Sequence, residues 1–297
     1  MTSDASATGQ EPDDPDGIVW RRRLEKSFAW VRGWETQTVQ PDVHPRSELA
    51  GDDKERPQQP LSQLAWIGLS SAIEHLGLAC DDLERVLGGD GSLRPRAPFT
   101  LTRSALMGAS QTVWLLAPDD RATRVRRSLH VAYDERLNHA AFLDDYRSDA
   151  EVAEHVTPEF LAELTEQYER TSAEAETIKN KEIGGGIIKT TRMIREAAEH
   201  LTAQELDPWQ RLAFTYEWRM SSAGAHARMW PFFVRLTNRS PLPDGTGEWR
   251  VLTATLQECA QAVGAAALMT NEAVRLWELR RRPADAGAAF GLARSEG

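Results

Sequence analysis

"LSQLAWIGLSSAIEHLGLACDDLERVLGG", residues 61–89, decides the fold class of this chain. From Leu61 to Leu87 apolar residues recur at three- and four-residue spacing, the period of one buried face of an α-helix. Gly88 and Gly89 stop it, because glycine accepts the left-handed backbone that ends a helix. An apolar stripe this long must be covered, and the neighbouring segments show what covers it.

Downstream, "FTLTRSALMGASQTVWLLA" carries Ala105, Gly108 and Ala109, small residues that let a neighbouring helix pack closely and place this segment centrally. Pro118 ends its pattern, and Asp119 or Asp120 can cap the long, charged helix expected in "RATRVRRSLHVAYDERLNHAAFLDDYRSD". "TPEFLAELTEQYERTSAEAETIKN" predicts another, with Thr157 as N-cap and Pro158 at the first helical position. "KEIGGG" breaks the pattern, and "IIKTTRMIREAAEH" predicts a short helix starting at Ile187. "TAQELDPWQRLAFTYEWRMSSAGAHARMWPFF" reads as helix, and "RLTNRSPLPDGTGEWR" as a turn region or small hairpin. "VLTATLQECAQAVGAAALMTNEAVRLWELRRR" predicts a long final helix.

Upstream, Trp20, Leu24, Phe28 and Val31 keep helical spacing in "IVWRRRLEKSFAWVRGWE". The expected organisation is a disordered acidic N-terminus over 1–16, an N-terminal helix and polar linker over 17–60, a helical bundle over 61–282 and a flexible tail over 283–297. No strand alternation and no fixed-period repeat appears. The expected fold is all-α, a multi-helix bundle of about seven or eight helices.

Composition narrows the function classes. A 297-residue chain that is 41% hydrophobic and 27% charged can bury a sizeable core. A net charge of -10 argues against a nucleic-acid binder that works through bulk charge, although a local basic face is compatible with it. Cys80 and Cys259 cannot build a disulfide framework and read as reduced thiols of a cytoplasmic protein. No stretch approaches a membrane span, and the acidic start is unlike a signal peptide.

The strongest site candidate is "TYEWRMSSAGAHARMWPFF", residues 215–233. Tyr216, Arg219, Ser222 and His226 share one helical face, with Arg219 and His226 two turns, about 10 Å, apart. Arginine can hold a phosphate in a planar fork, and a histidine can take or give a proton. Such a pair supports metal-independent cleavage of RNA with the ribose hydroxyl as nucleophile. The alternative is a packed seam in which these groups satisfy one another or a neighbouring carboxylate. Arg103, on an otherwise small and apolar helix, is either an anion clamp facing Arg219 and His226 or a buried ion pair, for instance with Glu74.

"RMSSAGAH", an arginine and a histidine with six residues between, resembles the motif of the HEPN superfamily, helical bundles that include RNA-cleaving toxins and antiviral effectors. A second match, "RVRRSLH" from Arg124 to His130, has five residues between. Over roughly residues 60–282, "TRSALMGASQTVWLLAPDDRATRVRRSL" and "YEWRMSSAGAHARMW" resemble a helical family common in actinobacteria. That resemblance implies a shared fold and a pocket formed by Arg103, Trp114, Tyr216, Ser222 and His226, but no activity. Arg219 and His226 are then the catalytic candidates, and Arg103, Tyr216 and Ser222 the binding ones. RNA or a nucleotide is the expected partner, and pairing of copies is compatible with such bundles.

Other motifs point elsewhere. Glu74 and His75, Glu135 and His139, Glu151 and His155, and Glu196 and His200 each put a carboxylate near an imidazole, but none has di-iron or zinc-protease spacing. No metal or other cofactor is expected. "EIGGGIIKTT" lacks the order and preceding strand of a phosphate loop, leaving at most an anion nest at a helix start. The basic runs Arg21 to Arg23, Arg121 to Arg127 and Arg280 to Arg282 read first as solvated helix faces. Two functions remain: a HEPN-like RNA- or nucleotide-binding protein with ribonuclease potential, or a non-enzymatic module that binds a protein or small ligand.

Overall fold

The computed structural model describes residues 15–36, 39–183, 187–202, 208–235, 239–241, 248–250 and 254–283. Of the N-terminal disorder expected over 1–16, residues 1–14 lie outside them while Pro15 and Asp16 are helical, and nearly all of the tail over 283–297 also lies outside. Among the described residues there are eleven α-helices and one small antiparallel hairpin. The helices are α1 (Pro15–Glu35), α2 (Glu48–Glu55), α3 (Leu61–Leu87), α4 (Ala97–Leu116), α5 (Arg121–Arg147) and α6 (Ala150–His155). They continue with α7 (Pro158–Ile178), α8 (Thr190–Thr202), α9 (Pro208–Ala225), α10 (Trp230–Arg235) and α11 (Leu256–Arg281). A π-helical turn, Lys179–Ile183, follows α7, and β1 (Arg239–Pro241) pairs with β2 (Glu248–Arg250).

The fold is therefore helical, but a count of seven or eight is too low. The additional helices are short: α2 in the expected linker, α6 after α5, and α10, which is separate from α9. A short helix shows too few turns to display a period, so caps announce it better than apolar spacing does. Ser47 caps α2 by accepting from Ala50 N at 3.1 Å, and Asp149 caps α6. Of the predicted caps, Asp120 accepts from Thr123 N at 2.7 Å and Thr157 from Phe160 N at 3.3 Å. The end of α3 is also as expected. Gly89, at φ +90°, donates to Val86 O at 3.0 Å, and Asp90 donates to Arg85 O at 3.0 Å, the two bonds of a Schellman stop.

The chain divides into two compact units. Unit 1 takes its described residues from Met1–Thr38, Ala72–Leu106 and Tyr216–Leu268. Within it α1 buries Leu24, Phe28 and Val31 along one face. Arg32 ties α1 to α3 by reaching Asp81 at 2.5 Å and Glu84 at 2.7 Å. Both cysteines belong to this unit as fully buried, reduced thiols. Burial pushes the Cys80 thiol up to about 12.

Unit 2 comprises Val39–Ser71, Met107–Thr215 and Met269–Gly297, again for the described residues. Its centre is the close approach of α3 and α4 predicted from the small residues. An ideal Cβ on Gly68 would lie 2.7 Å from Gly108 O, and Thr112 Oγ1 donates to Ala65 O at 2.8 Å. Trp66 packs against Trp277 with centroids 5.4 Å apart. The C-terminal carbonyls of α4 are met by arginines instead of a glycine turn. Arg127 donates to Trp114 O at 2.5 Å, Arg280 to Leu116 O at 3.2 Å and Arg124 to Pro118 O at 2.9 Å.

That arrangement corrects two readings. Arg124 and Arg280 are buried side chains, not parts of solvated faces. Arg124 is held by Asp52 of α2, inside the segment read as polar linker, and Arg280 by Asp119 at 2.8 Å and by Glu48. Asp53, its carboxyl raised by burial, accepts from Ser62 N at 2.9 Å and so caps the start of α3. No helix among the described residues is long and apolar enough to cross a membrane.

Candidate functional site

The stretch expected to run as one helix over 215–233 does not. α9 ends at Ala225, and α10 begins at Trp230. Between them Ala227 N donates to Gly224 O at 3.1 Å and Arg228 N to Ala223 O at 2.8 Å. These are again the two bonds of a Schellman stop, with Ala227 at φ +52° in the left-handed position that usually falls to glycine. His226 is thereby the C-cap residue, its backbone N–H on Ser222 O at 3.1 Å.

From Tyr216 onward α9 belongs to unit 1. It buries Glu217, Trp218, Met220, Ser221 and Ala223. Its other side carries the predicted set. Tyr216 is 45% exposed, Arg219 and His226 are exposed, and Ser222 is intermediate. The structure thus keeps the four along one accessible side of the helix, and they are not a buried seam.

Arg103 is placed differently. α4 runs antiparallel to α9 here: an ideal Cβ on Gly224 would lie 4.0 Å from Phe99 Cβ, and the Arg103 guanidinium carbon lies 4.9 Å from the Trp218 ring centroid. Arg103 therefore stacks on the inward-facing neighbour of Arg219, about 100° around the helix from it. Its Nε is buried without a hydrogen-bond partner, and among the described residues it forms no ion pair with Glu74 or any other carboxylate. Trp114 belongs to unit 2, where its indole has partners of its own.

Sequence reasoning passed over the turn between α9 and α10. Arg228 is exposed, Met229 is 68% exposed and Trp230 is 43% exposed. The signal was in "HARMW", read as more helix. A turn there presents an imidazole, a guanidinium and an indole within five residues.

Two of the four carboxylate and imidazole pairs have contacts of their own. His155 Nδ1 lies 2.7 Å from Glu151 O, a backbone contact. Glu196 and His200 face different partners. Glu196 accepts from Trp114 Nε1 at 2.7 Å, and His200 Nε2 meets Glu272 Oε1 at 3.0 Å. The helix expected to start at Ile187 starts at Thr190.

Comparison with known proteins identifies no relative: no family model, no curated protein and no solved structure matches the chain.

Proposed function

We propose that the outer face of α9 and the turn after it form a HEPN-like site for single-stranded RNA or a nucleotide in a cytoplasmic protein. The observation that carries this is the accessibility of Arg219, His226 and Arg228 beside the exposed rings of Tyr216 and Trp230. Guanidinium groups hold phosphate oxygens, and exposed aromatic faces stack bases with little sequence preference. Because the whole chain is at -10, affinity must come from this local set.

With RNA bound, Arg219 holds the scissile phosphate and His226 takes the proton from the 2′-hydroxyl. That oxygen attacks the adjacent phosphorus and the 5′-oxygen leaves, taking a proton from solvent. The products are a 2′,3′-cyclic phosphate and a 5′-hydroxyl end. A second reading, binding without turnover, is favoured by Arg103: stacked on Trp218, it adds no charge to the outer face.

The test is induced expression of the wild type and of Arg219→Ala with His226→Ala, with folding checked by circular dichroism. Growth arrest and loss of intact cellular RNA, abolished in a folded double variant, support cleavage. Intact RNA, together with oligonucleotide binding that the double variant loses, supports the second reading. No binding to either protein overturns both.

A further inference from the structure

Unit 2 gathers a separate cationic cluster around Trp114 of α4. The buried indole donates to Glu196 Oε2 at 2.7 Å. Arg127 of α5 lies over that ring at 4.9 Å and reaches Glu196 at 3.4 Å. Arg192 of α8 reaches the other oxygen of Glu196 at 2.8 Å. His130 sets its ring edge-on to the same indole, with centroids 6.4 Å apart. Arg126 is exposed and precedes His130 by one helical turn, on the same side of α5. Among the described residues Asp120, an exposed N-cap carboxylate, also acts on Arg127.

Two features of this cluster do not balance. Among the described residues three guanidinium groups face one close carboxylate, Glu196, an excess of two positive charges. His130 Nδ1 is buried with no hydrogen-bond partner, a state interior polar atoms seldom keep.

We propose that Arg126, Arg127, His130 and Arg192 form an anion site for a phosphate group, either free or as the terminal group of a small monoester. A phosphate dianion matches the charge excess, and the planar forks of Arg126 and Arg192 suit its oxygens. Imidazolium N–H groups donate to it as well. Burial first, then Arg126 and Arg192, hold the His130 imidazole below its ordinary range, and burial does the same to Arg127. A bound dianion reverses both effects. Arg124, the arginine of the second HEPN-like match, takes no part, since Asp52 holds it. The site is independent of the α9 face, which belongs to unit 1.

The test follows the His130 ring nitrogens by NMR, assigned through His130→Gln, while the full chain is titrated at constant ionic strength. Inorganic phosphate is used in one series and phenyl phosphate in another. A saturable shift with the imidazole titrating at higher pH is expected. Tighter phosphate binding identifies the free anion, and tighter phenyl phosphate binding the monoester. Arg126→Gln with Arg192→Gln changes two exposed side chains and should weaken binding at least about tenfold, with circular dichroism unchanged. Arg219→Ala with His226→Ala should leave it intact. Absence of a saturable shift with both compounds, or unaltered saturation in the folded Arg126, Arg192 variant, overturns the proposal.

Discussion

Arg124 and Asp52 meet as a two-pronged ion pair in the interior of unit 2, with Nε on Oδ2 at 2.7 Å and Nη2 on Oδ1 at 3.0 Å. The arginine is 1% exposed and the aspartate not at all. Removing one partner strands a buried charge, so Asp52→Ala should cost about 3–5 kcal/mol in urea denaturation. Asp52→Ala with Arg124→Met should cost less than the sum of the two single changes. A loss below about 1 kcal/mol for Asp52→Ala would show that the charge escapes to water.

Stability at acid pH should depend on Glu272. Burial opposes its charge, but bonds from Arg275 and His200 outweigh that and hold its carboxyl below the usual range. A depressed folded value gives stabilisation that is complete above the unfolded carboxylate value. It is lost as pH falls through the folded one. Glu272→Gln should therefore flatten the acid limb of a stability-pH curve and cost about 1.5–3 kcal/mol near neutrality. An unchanged acid limb would assign acid lability to other groups.

Two helical glycines should answer oppositely to alanine. At Gly68 the added methyl meets Gly108 O at 2.7 Å and Thr112 Oγ1 at 2.8 Å, so Gly68→Ala should destabilise by about 1–3 kcal/mol. At Gly264 nothing lies within 4 Å, and Gly264→Ala should stabilise by about 0.5–1 kcal/mol. Thermal unfolding of the pair checks the close approach of α3 and α4 directly.

Ala227→Gly should stabilise by about 1 kcal/mol, because it relieves a left-handed residue at the end of α9. If the α9 face works as proposed, this change leaves oligonucleotide binding intact, since it alters no exposed ring or cation. Melting temperature and binding isotherms read the two effects separately.

The long elements were legible because each runs for many turns and ends on a recognisable residue. α3 is the clearest case, its bounds at Leu61 and Leu87 matching the reading. The predicted caps at Asp120 and Thr157 are local hydrogen bonds between near neighbours, so sequence can show them. The pairing of Asp52 with Arg124 spans 72 residues and leaves no local trace. "PDVHPRSELAGDDKERPQQP" therefore looked like linker. The helix end at His226 was hidden for another reason: alanine occupies a position where glycine would have announced it. The shared face of Tyr216, Arg219, Ser222 and His226 came from helical spacing alone. The stacking of Arg103 on Trp218 is tertiary, and it separates a residue that the family resemblance had grouped with them.

The buried thiols of Cys80 and Cys259 give unit 1 its own reporter. A thiolate is the reactive form, and one held near 12 inside an apolar helix face cannot meet an alkylating reagent without local opening. Labelling kinetics in native buffer therefore time the breathing of α3 and α11 where they build this unit. Because unit 2 contains no cysteine, the same sample supplies a silent internal reference, and ligands that brace the α9 face will declare themselves as slower alkylation.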